Sequence, residues 1–293
     1  MDLLQLEYFR TVARHEHMTR AAAELGIAQS GLSTTIARLE HDLGVPLFDR
    51  QGRRIRLNAF GRAFLRRVDR ALALLEDGRR EVADLAGLEH GEVAFAATTV
   101  RWVPELLHAF LARHPHVRFR LIQAETAAMR RQLERGESDL CLASLPLDGP
   151  GIQAVPVLTE EILLAVPATH RLAGRGSIQL GEVVDEPFIS LKPGSDLRAL
   201  TAQVCRQAGF APRVVCEIDE PAAIRGLVRA GLGVAFLPAV SWRVVGELDP
   251  VPLHIAAPPC QRILRLVWRE DRYLSVAARQ FRQFVIDYFA RLP

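Results

Sequence analysis

The 293-residue sequence lacks the patterns that mark several protein classes. Its four cysteines form no CxxC pair, which excludes a zinc knuckle and a thioredoxin-like motif. It contains no apolar run of about 18 residues, and Met1-Asp2 opens directly into an amphipathic helix, so we expect neither a membrane span nor a secretory signal. It has no GxSxG elbow, no phosphate-binding loop and no HExxH motif. We therefore expect a cytoplasmic protein that is not an enzyme and needs no cofactor or metal.

Lysine is nearly absent, since 36 arginines accompany the single Lys192. The formal net charge is only +3, yet one segment is strongly basic. Seven arginines and no acidic residue lie in that segment, namely Arg50, Arg53, Arg54, Arg56, Arg62, Arg66 and Arg67. Local positive charge of this kind indicates a phosphate-binding surface, and a solvated basic face is the alternative.

Residues 18–40 have the pattern of two helices joined by a tight turn. The first is predicted to begin at an N-cap, Thr19, and to end at Gly26. The second carries Leu32, Ile36 and Leu39 on one face at helical spacing. Its other face carries short polar groups and one cation, Gln29, Ser30, Ser33, Thr34 and Arg38. This arrangement predicts a DNA-binding helix-turn-helix, and a plain helical hairpin is the alternative.

A short hairpin is predicted directly after these helices. Leu47 and Phe48 begin one apolar strand, and Ile55 and Leu57 alternate with arginines as a second strand would. The basic turn at 49–54 lies between them. The hairpin is therefore predicted to form a basic wing beside the helix-turn-helix.

Residues 1–65 resemble the amino-terminal domain of LysR-type transcriptional regulators. The resemblance rests on four segments, Met1–Phe9, Thr19–Ala22, Leu39–Arg50 and Arg56–Asn58, and extends more loosely over the whole length. That family has a winged helix-turn-helix, a long dimerising helix and an effector domain of the periplasmic-binding-protein type. This chain departs from the usual Pro-Ala at Ser30-Gly31 and from a frequent Arg-Gln at Thr34-Thr35, so we expect an unusual operator sequence.

The predicted partner of the amino-terminal domain is double-stranded promoter DNA. The residues expected to contact it are Thr19, Arg20, Gln29, Ser30, Ser33, Thr34, Arg38, Arg50, Arg53 and Arg54. The resemblance implies a homodimer or homotetramer. A dimer also makes physical sense, since two such domains are needed to read two half-sites one helical turn apart.

A long helix is predicted after the wing, with Asn58 as its cap and its end near Leu88. A seven-residue seam follows the heptad spacing along it, namely Phe64, Val68, Ala71, Leu75, Gly78, Val82 and Leu85. This pattern favours a dimerising helix, and a helix packed inside its own domain is the alternative. The expected domains are thus 1–58 for DNA binding, 59–88 for the linker helix and 89–293 for the effector domain.

Strands and helices alternate after Gly91, which is typical of crossovers in a mostly parallel sheet. We expect an α/β domain of two lobes with a cleft between them. Lobe I is expected at 91–161 and 267–293, and lobe II at 162–266. The return of the chain to lobe I is implied by the resemblance, as is the type II periplasmic-binding-protein-like fold.

Ligands of open α/β sheets bind beyond the carboxyl ends of the strands, near helix amino termini. The residues expected to line an effector cleft by this rule and by the resemblance are Thr98, Thr99, Val100, Arg101, Thr126, Ser144, Leu145, Pro193, Gly194 and Ser195. For each hydroxyl taken alone, ordinary helix capping is the alternative. Arg101 favours an anionic small-molecule effector, although a surface arginine at a helix start equally faces water.

The sequence as a whole is identified as a ligand-responsive transcriptional regulator without a membrane partner. The alternative is a two-lobe solute-binding or enzymatic protein whose amino-terminal helices assist assembly. Cys205 and Cys216 lie in a helix and an apolar strand, so we interpret them as buried structural thiols. His15 and His17 point in different directions on a helix, which disfavours a metal site there.

Overall fold

The computed structural model describes residues 1–51, 54–86, 91–99, 101–242 and 250–292. The side chains of Arg50, Gln51 and Arg54 lie outside the described part. The chain divides into two compact units, Met1–Leu88 with Glu134–Glu137, and Glu89–Leu133 with Ser138–Pro293. No helix among the described residues is long and apolar enough to cross a membrane.

In the first unit, the described residues among the first 86 form four helices and a hairpin. Its elements are α1 (Leu3–His15), α2 (Met18–Leu25), α3 (Gln29–Leu43), β1 (Phe48–Gln51), β2 (Arg54–Leu57) and α4 (Ala59–Leu85). Phe9 lies at the centre of its core, with ring centroids 5.5 Å from Phe48 and 5.3 Å from Phe64. The wing strand β1 and the helix α4 are thereby packed against α1, because one aromatic side chain contacts both.

The predicted ends of the helices in this unit are mostly confirmed. Gly26 ends α2 in the left-handed conformation, and the Asn58 side chain caps α4 by accepting from the Gly61 amide. The predicted cap of α2 is wrong. His17 is the N-cap, and its Nδ1 accepts from the Arg20 amide at 3.4 Å, while Thr19 lies inside the helix. The imidazole nitrogen takes the role that the sequence pattern assigned to a hydroxyl.

The second unit alternates strands and helices. Its strands are β3 (Glu92–Ala97), β4 (Arg118–Gln123), β5 (Leu140–Ala143), β6 (Ile152–Val166), β7 (Ser177–Gln179), β8 (Pro187–Leu191), β9 (Arg213–Ile218), β10 (Ala235–Pro238), β11 (Val251–Ala257) and β12 (Gln261–Arg269). Its α-helices are α5 (Val103–Leu111), α6 (Thr126–Arg135), α7 (Asp196–Gln207), α8 (Ile224–Arg229) and α9 (Val276–Ala290). Short 3₁₀ turns lie at Leu180–Val183, Pro221–Ala223 and Ala239–Trp242.

The main sheet is mixed, which corrects the expectation of a mostly parallel one. Its strand order is β4-β3-β5-β12-β6-β11-β7, and β10 also pairs with β6. Strand β3 is parallel to β4 and β5, whereas β12 is antiparallel to both β5 and β6. The difference arises because β6 and β12 are long connecting strands that run against each other over nine paired positions. Among the described residues, the parallel strand pairs are β3–β4, β3–β5, β8–β9 and β11–β7.

The domain has two lobes, because its buried side chains fall into separate cores. Lobe I packs α5 and α9 on β3 and β5, with Phe95, Phe110 and Phe281 in edge-to-face contact. Lobe II packs α7 and the strands around Phe188, whose ring stacks on Phe236 at 5.6 Å. The long strands β6 and β12 connect the lobes. The predicted return of the last strand is confirmed, since β12 pairs with β5.

Candidate functional site

The outer face of α3 is open to contact. Leu32, Ile36 and Leu39 are buried in the core of the first unit, and they hold the opposite face outward. The predicted DNA-contacting residues on α2 and α3 are exposed, except for half-buried Ser33; they are Thr19, Arg20, Gln29, Ser30, Ser33, Thr34 and Arg38. The Thr34 hydroxyl donates to the Ser30 carbonyl within the helix at 3.0 Å. Its oxygen lone pairs stay available as acceptors.

Three polar side chains hold the base of the wing against the helices. The Glu40 carboxylate of α3 accepts from the Leu47 amide at 2.7 Å, at the start of the hairpin. The Glu16 carboxylate accepts from the Leu57 amide at 3.2 Å. Asn58 donates its Nδ2 to the Pro46 carbonyl at 2.8 Å while its oxygen caps α4.

The sequence analysis missed the two glutamates. Glu16 has a left-handed backbone, with φ 45°, and that conformation is unusual for a residue other than glycine. These two acidic side chains therefore position the wing by accepting from backbone amides.

The predicted basic cluster is only partly described. Arg50 and Arg54 lie in β1 and β2, and Arg53 lies outside the described residues, as do the side chains of the other two. Arg62 donates Nη1 to the Leu57 carbonyl at 2.6 Å, which supports the end of the wing. Arg56, Arg66 and Arg67 are exposed. Exposed cations thus lie on both the wing and the first turns of α4.

The predicted seam of α4 divides into two parts. Val68 is buried and Phe64 half-buried in the core of their own unit. This part of α4 therefore agrees with the alternative prediction, a helix packed inside its own domain. Further along, Leu75, Val82 and Leu85 are 53%, 67% and 83% exposed. The dimerising pattern therefore applies to the second half of α4, which presents apolar side chains to solvent.

Several predicted effector residues meet where β3 and β5 end. The Thr98 hydroxyl lies 2.5 Å from the Ser144 hydroxyl and 3.4 Å from the Leu142 carbonyl. The Thr98 amide donates to the same carbonyl at 3.1 Å. Two neighbouring parallel strands thus bring these hydroxyls into direct contact, although 46 positions separate them.

The amino termini of α6 and α7 continue this cluster across the two lobes. The Thr126 amide lies 3.3 and 3.2 Å from the two carboxylate oxygens of Asp196, and the Thr126 hydroxyl donates to the same carboxylate. The Asp196 amide donates to the Glu125 carboxylate at 2.9 Å. The Leu145 amide donates to the Thr126 hydroxyl oxygen at 3.3 Å. Hydrogen bonds therefore link Thr126 to both Leu145 and the start of α7.

Both carboxylates in this cluster have buried surroundings. Asp196 is buried, and Glu125 is half-buried. Burial raises the pKa of Glu125, and the nearby Asp196 carboxylate raises it further. The hydrogen bond from the Asp196 amide and the charge of Lys192 act in the opposite direction on that pKa.

The other predicted effector residues lie around this cluster. Ser195 is buried at the N-cap of α7, but its side chain makes no capping hydrogen bond. Pro193 and Gly194 are exposed, and Gly194 needs its left-handed φ of 98° for the turn into α7. The half-buried Thr99 accepts from the Arg101 amide at 3.5 Å. Val100 lies outside the described residues.

Arg101 makes a backbone contact in this structure. It is exposed, and its Nη2 donates to the Ser241 carbonyl at 3.3 Å. The charged groups within the buried part of the cluster are the carboxylates of Glu125 and Asp196, which the sequence analysis did not assign to the cleft. Both carboxylates adjoin a predicted cleft residue in the sequence, Glu125 next to Thr126 and Asp196 next to Ser195, and this adjacency is the signal that could have identified them.

A buried ion pair joins the two connecting strands. Glu160 of β6 and Arg262 of β12 are 5% exposed each, and their Oε2 and Nε atoms lie 2.7 Å apart. The Glu160 Oε1 atom accepts from the Val240 amide at 3.0 Å. The pair thereby fixes the start of the Ala239–Trp242 turn against both strands.

Two cysteines of lobe II have environments that disfavour redox chemistry. Cys205 and Cys260 are buried in the core of lobe II, and burial raises their pKa to about 11 and about 12. The expected burial is thus confirmed for Cys205 but wrong for Cys216, which is half-buried in β9. Thiols with raised pKa values are weak nucleophiles near neutral pH.

Comparison with known proteins relates this architecture to one family. Residues 3–62 match the bacterial regulatory helix-turn-helix protein model of the lysR family, and residues 86–290 match the LysR substrate binding domain. The uncharacterized HTH-type transcriptional regulator YybE of Bacillus subtilis is 39% identical, over 99% of this chain and 100% of its own. The transcriptional dual regulator GltC of the same organism is 33% identical, over 100% and 99%.

Solved structures agree in fold. A full-length OxyR variant from Pseudomonas aeruginosa has a TM-score of 0.73 at 23% identity, covering 99% of this chain and 95% of its own. Full-length CbnR complexed with its target DNA has a TM-score of 0.58 at 26% identity, covering 99% and 100%. The effector binding domain of QuiR in complex with shikimate has a TM-score of 0.62 at 26% identity, covering 69% and 98%.

These matches decide between the two interpretations of the sequence. The alternative of a solute-binding or enzymatic protein treats the first helices as an assembly module, whereas a regulatory helix-turn-helix model matches them directly. The second model covers most of the remaining chain. With a winged helix-turn-helix followed by a two-lobed ligand-binding domain, this chain belongs to the LysR family of bacterial transcriptional regulators.

Proposed function

We propose that this protein binds operator DNA through α3 and the wing, and that a small molecule in the cleft of the second unit modulates this binding. The observation that carries the proposal is the exposed polar face of α3. Seven residues of α2 and α3 are predicted to contact DNA, and six of them are exposed. An arginine-rich segment follows these helices in the chain. A face of hydroxyl, amide and guanidinium groups is suited to base edges and phosphates.

The contacts divide by chemistry. Gln29, Ser33 and Thr34 present hydrogen-bonding groups that are short enough to read base edges in the major groove. Arg38 and the arginines of the wing contact phosphates, which supplies affinity without sequence information. The similar protein CbnR has been solved as a complex with its target DNA, which supports DNA binding by the same fold in this protein.

The protein binds DNA as a homodimer, or as a tetramer built from such dimers. Ala71, Leu75, Gly78, Val82 and Leu85 of α4 are spaced 4, 3, 4 and 3 residues apart, as in a coiled coil. Leu75, Val82 and Leu85 are largely exposed in the single chain. A second copy of α4 would bury them and would place two copies of α3 on successive half-sites.

The effector binds among the groups that meet between the lobes. Thr98, Ser144, Leu145, Thr126 and Ser195 contribute hydroxyls and amides to this place, with Thr99, Val100, Arg101, Pro193 and Gly194 at its margin. The QuiR relative is named as a complex with shikimate, a fact that supports a small polar effector in this kind of domain. A coupling of about 1–3 kcal/mol between effector and operator would suffice for regulation.

The protein acts in the cytoplasm, where its DNA target lies, and it is not an enzyme. The similar proteins YybE and GltC are transcriptional regulators, which supports a role other than catalysis. The described cleft brings together hydroxyls, amides and carboxylates, and we assign them to binding.

A gel-shift titration with the promoter region of the protein's own gene tests this function. We expect a discrete complex that survives excess unrelated DNA, and we expect Gln29→Ala with Ser33→Ala to remove the preference while retaining sequence-independent binding. The matched control is Ser190→Ala, since Ser190 lies in β8 of the second unit. Binding that depends only on salt and is the same for every sequence would contradict the proposal.

A further inference from the structure

The amino termini of α6 and α7 are capped by each other's carboxylates. In α6, the Glu125 carbonyl accepts from the Ala128 amide, so Glu125 is the N-cap and Thr126 the first helical residue. In α7, Ser195 is the N-cap and Asp196 the first helical residue. The first amide of a helix has no partner within the helix and needs an external acceptor.

In each helix, that acceptor comes from the other lobe. Asp196 supplies it to the Thr126 amide and hydroxyl, and Glu125 supplies it to the Asp196 amide at 2.9 Å. The residues of each pair lie 70 and 71 positions apart in the chain. The caps are therefore tertiary contacts, and they are reciprocal because Asp196 donates in one bond and accepts in the others.

A local capping side chain of α7 is present but makes no capping bond. The Ser195 side chain occupies the usual position to cap the second or third amide of α7 and makes no such bond. The first amide of each helix is bonded to a carboxylate of the opposite lobe. If the lobes separated, Thr126 and Asp196 would lose their acceptors together.

We propose that Glu125 and Asp196 form a latch that holds the cleft closed in the absence of an effector. The inference rests on the proposed function in that the latched cleft is the proposed effector site. A molecule that enters between the lobes has to fit beside these hydrogen bonds or replace them. The hydrogen bonds of the latch therefore contribute to the free energy needed to separate the two lobes.

The latch is balanced between attraction and repulsion. Each carboxylate is attracted to the partial positive charge at the helix amino terminus that it faces. They also face each other, and the pKa of Glu125 is raised by burial and by the Asp196 charge, with Lys192 opposing. The contact therefore combines attraction between the carboxylates and the helix amino termini with repulsion between the two carboxylates.

Hydrogen exchange of the full-length protein, without any effector, tests the latch. Peptides that contain residues 125–129 and 195–199 report on the two amino termini. In Asp196→Ala we expect faster exchange at residues 125–129, where the direct bond is lost, and also at 195–199. In Glu125→Ala we expect the same two regions to respond, although only the bond to the Asp196 amide is removed directly.

The expected increase is about tenfold to a hundredfold at the directly affected amides, from the usual strength of charge-assisted hydrogen bonds. Ser275→Ala is the matched control, because its hydroxyl caps α9 by accepting from the Ala278 amide at 3.1 Å. It should speed exchange at the start of α9 and leave α6 and α7 unchanged. Glu125→Gln and Asp196→Asn keep the side-chain volumes and should give smaller changes in the same direction.

If each substitution affected only the amide that it caps directly, the two caps would be independent and the latch would be refuted. This outcome is distinct from a failure of the proposed function. If the proposed function were wrong but the latch existed, no metabolite would alter operator binding, while the exchange of α6 and α7 would still be coupled.

Discussion

We expect two glycines of the first unit to respond in opposite directions when each is replaced by alanine. A Cβ atom at Gly61 would lie 2.1 Å from the Leu47 carbonyl oxygen and 2.6 Å from the Leu57 Cδ2 atom. A Cβ atom at Gly31 would meet nothing within 4 Å. Both residues are inside α-helices, so alanine gains a similar helix propensity at each position. The difference between the two variants therefore isolates the steric contact with the wing.

The magnitude follows from the atoms at Gly61. The Leu47 oxygen is a backbone atom that also accepts from the Asn58 amide at 3.1 Å, so it cannot move without weakening this bond. Overpacking costs about 1–3 kcal/mol and a lost hydrogen bond about 1 kcal/mol, against a propensity gain of up to about 1 kcal/mol. We expect Gly61→Ala to destabilise the unit by about 2 kcal/mol. Gly31→Ala should stabilise it by about 0.5–1 kcal/mol.

Calorimetry of the full-length variants measures both effects. The transition of the first unit should fall by about 8–16 °C in Gly61→Ala and rise by a few degrees in Gly31→Ala, using the usual scaling for a domain of this size. Displacement of the wing should also weaken operator binding in Gly61→Ala below its new Tm. Equal shifts of the same sign in the two variants would refute the assigned contact between α4 and the wing.

Three further predictions concern DNA binding, assembly and stability. Arg38→Ala should weaken binding to all sequences and reduce the salt slope of log Kd by about one, measured by fluorescence anisotropy; an unchanged slope would exclude a phosphate contact. Leu75→Glu with Val82→Glu should convert the dimer to monomer in sedimentation velocity, and a persistent dimer would exclude the α4 seam. Glu160→Ala should cost about 3–5 kcal/mol in thermal unfolding because Arg262 is left buried and unpaired, whereas Glu160→Met with Arg262→Met should recover most of this loss.

The elements of the fold could largely be predicted from local sequence patterns. Leu32, Ile36 and Leu39 occur at helical spacing and are buried, and Gly26 and Asn58 mark helix ends as expected. These signals work because the interacting residues lie within a few positions of one another. The cap of α2 could not be predicted, because an imidazole accepts from a helix amide less often than a hydroxyl does.

The candidate cleft was predicted in its position but not in its chemistry. The ends of β3 and β5 and the starts of α6 and α7 identify where Thr98, Ser144 and Thr126 should meet. The same rule gives no information on which acidic side chains face these groups. Glu125 precedes a predicted helix and resembles any exposed glutamate until the opposite lobe is placed beside it.

The amino-acid sequence alone determined the helices, the basic wing, the exposed face of α3 and the order of strands and helices, since each depends on neighbours in the chain. Tertiary structure decided that the sheet is mixed, that Val68 belongs to its own core and that the seam of α4 begins later. It also decided which charges lie together, half-buried Glu125 near buried Asp196 and buried Glu160 with buried Arg262. Partners separated by 71 and 102 positions meet only after the strands have paired, and no periodicity in the chain specifies that pairing.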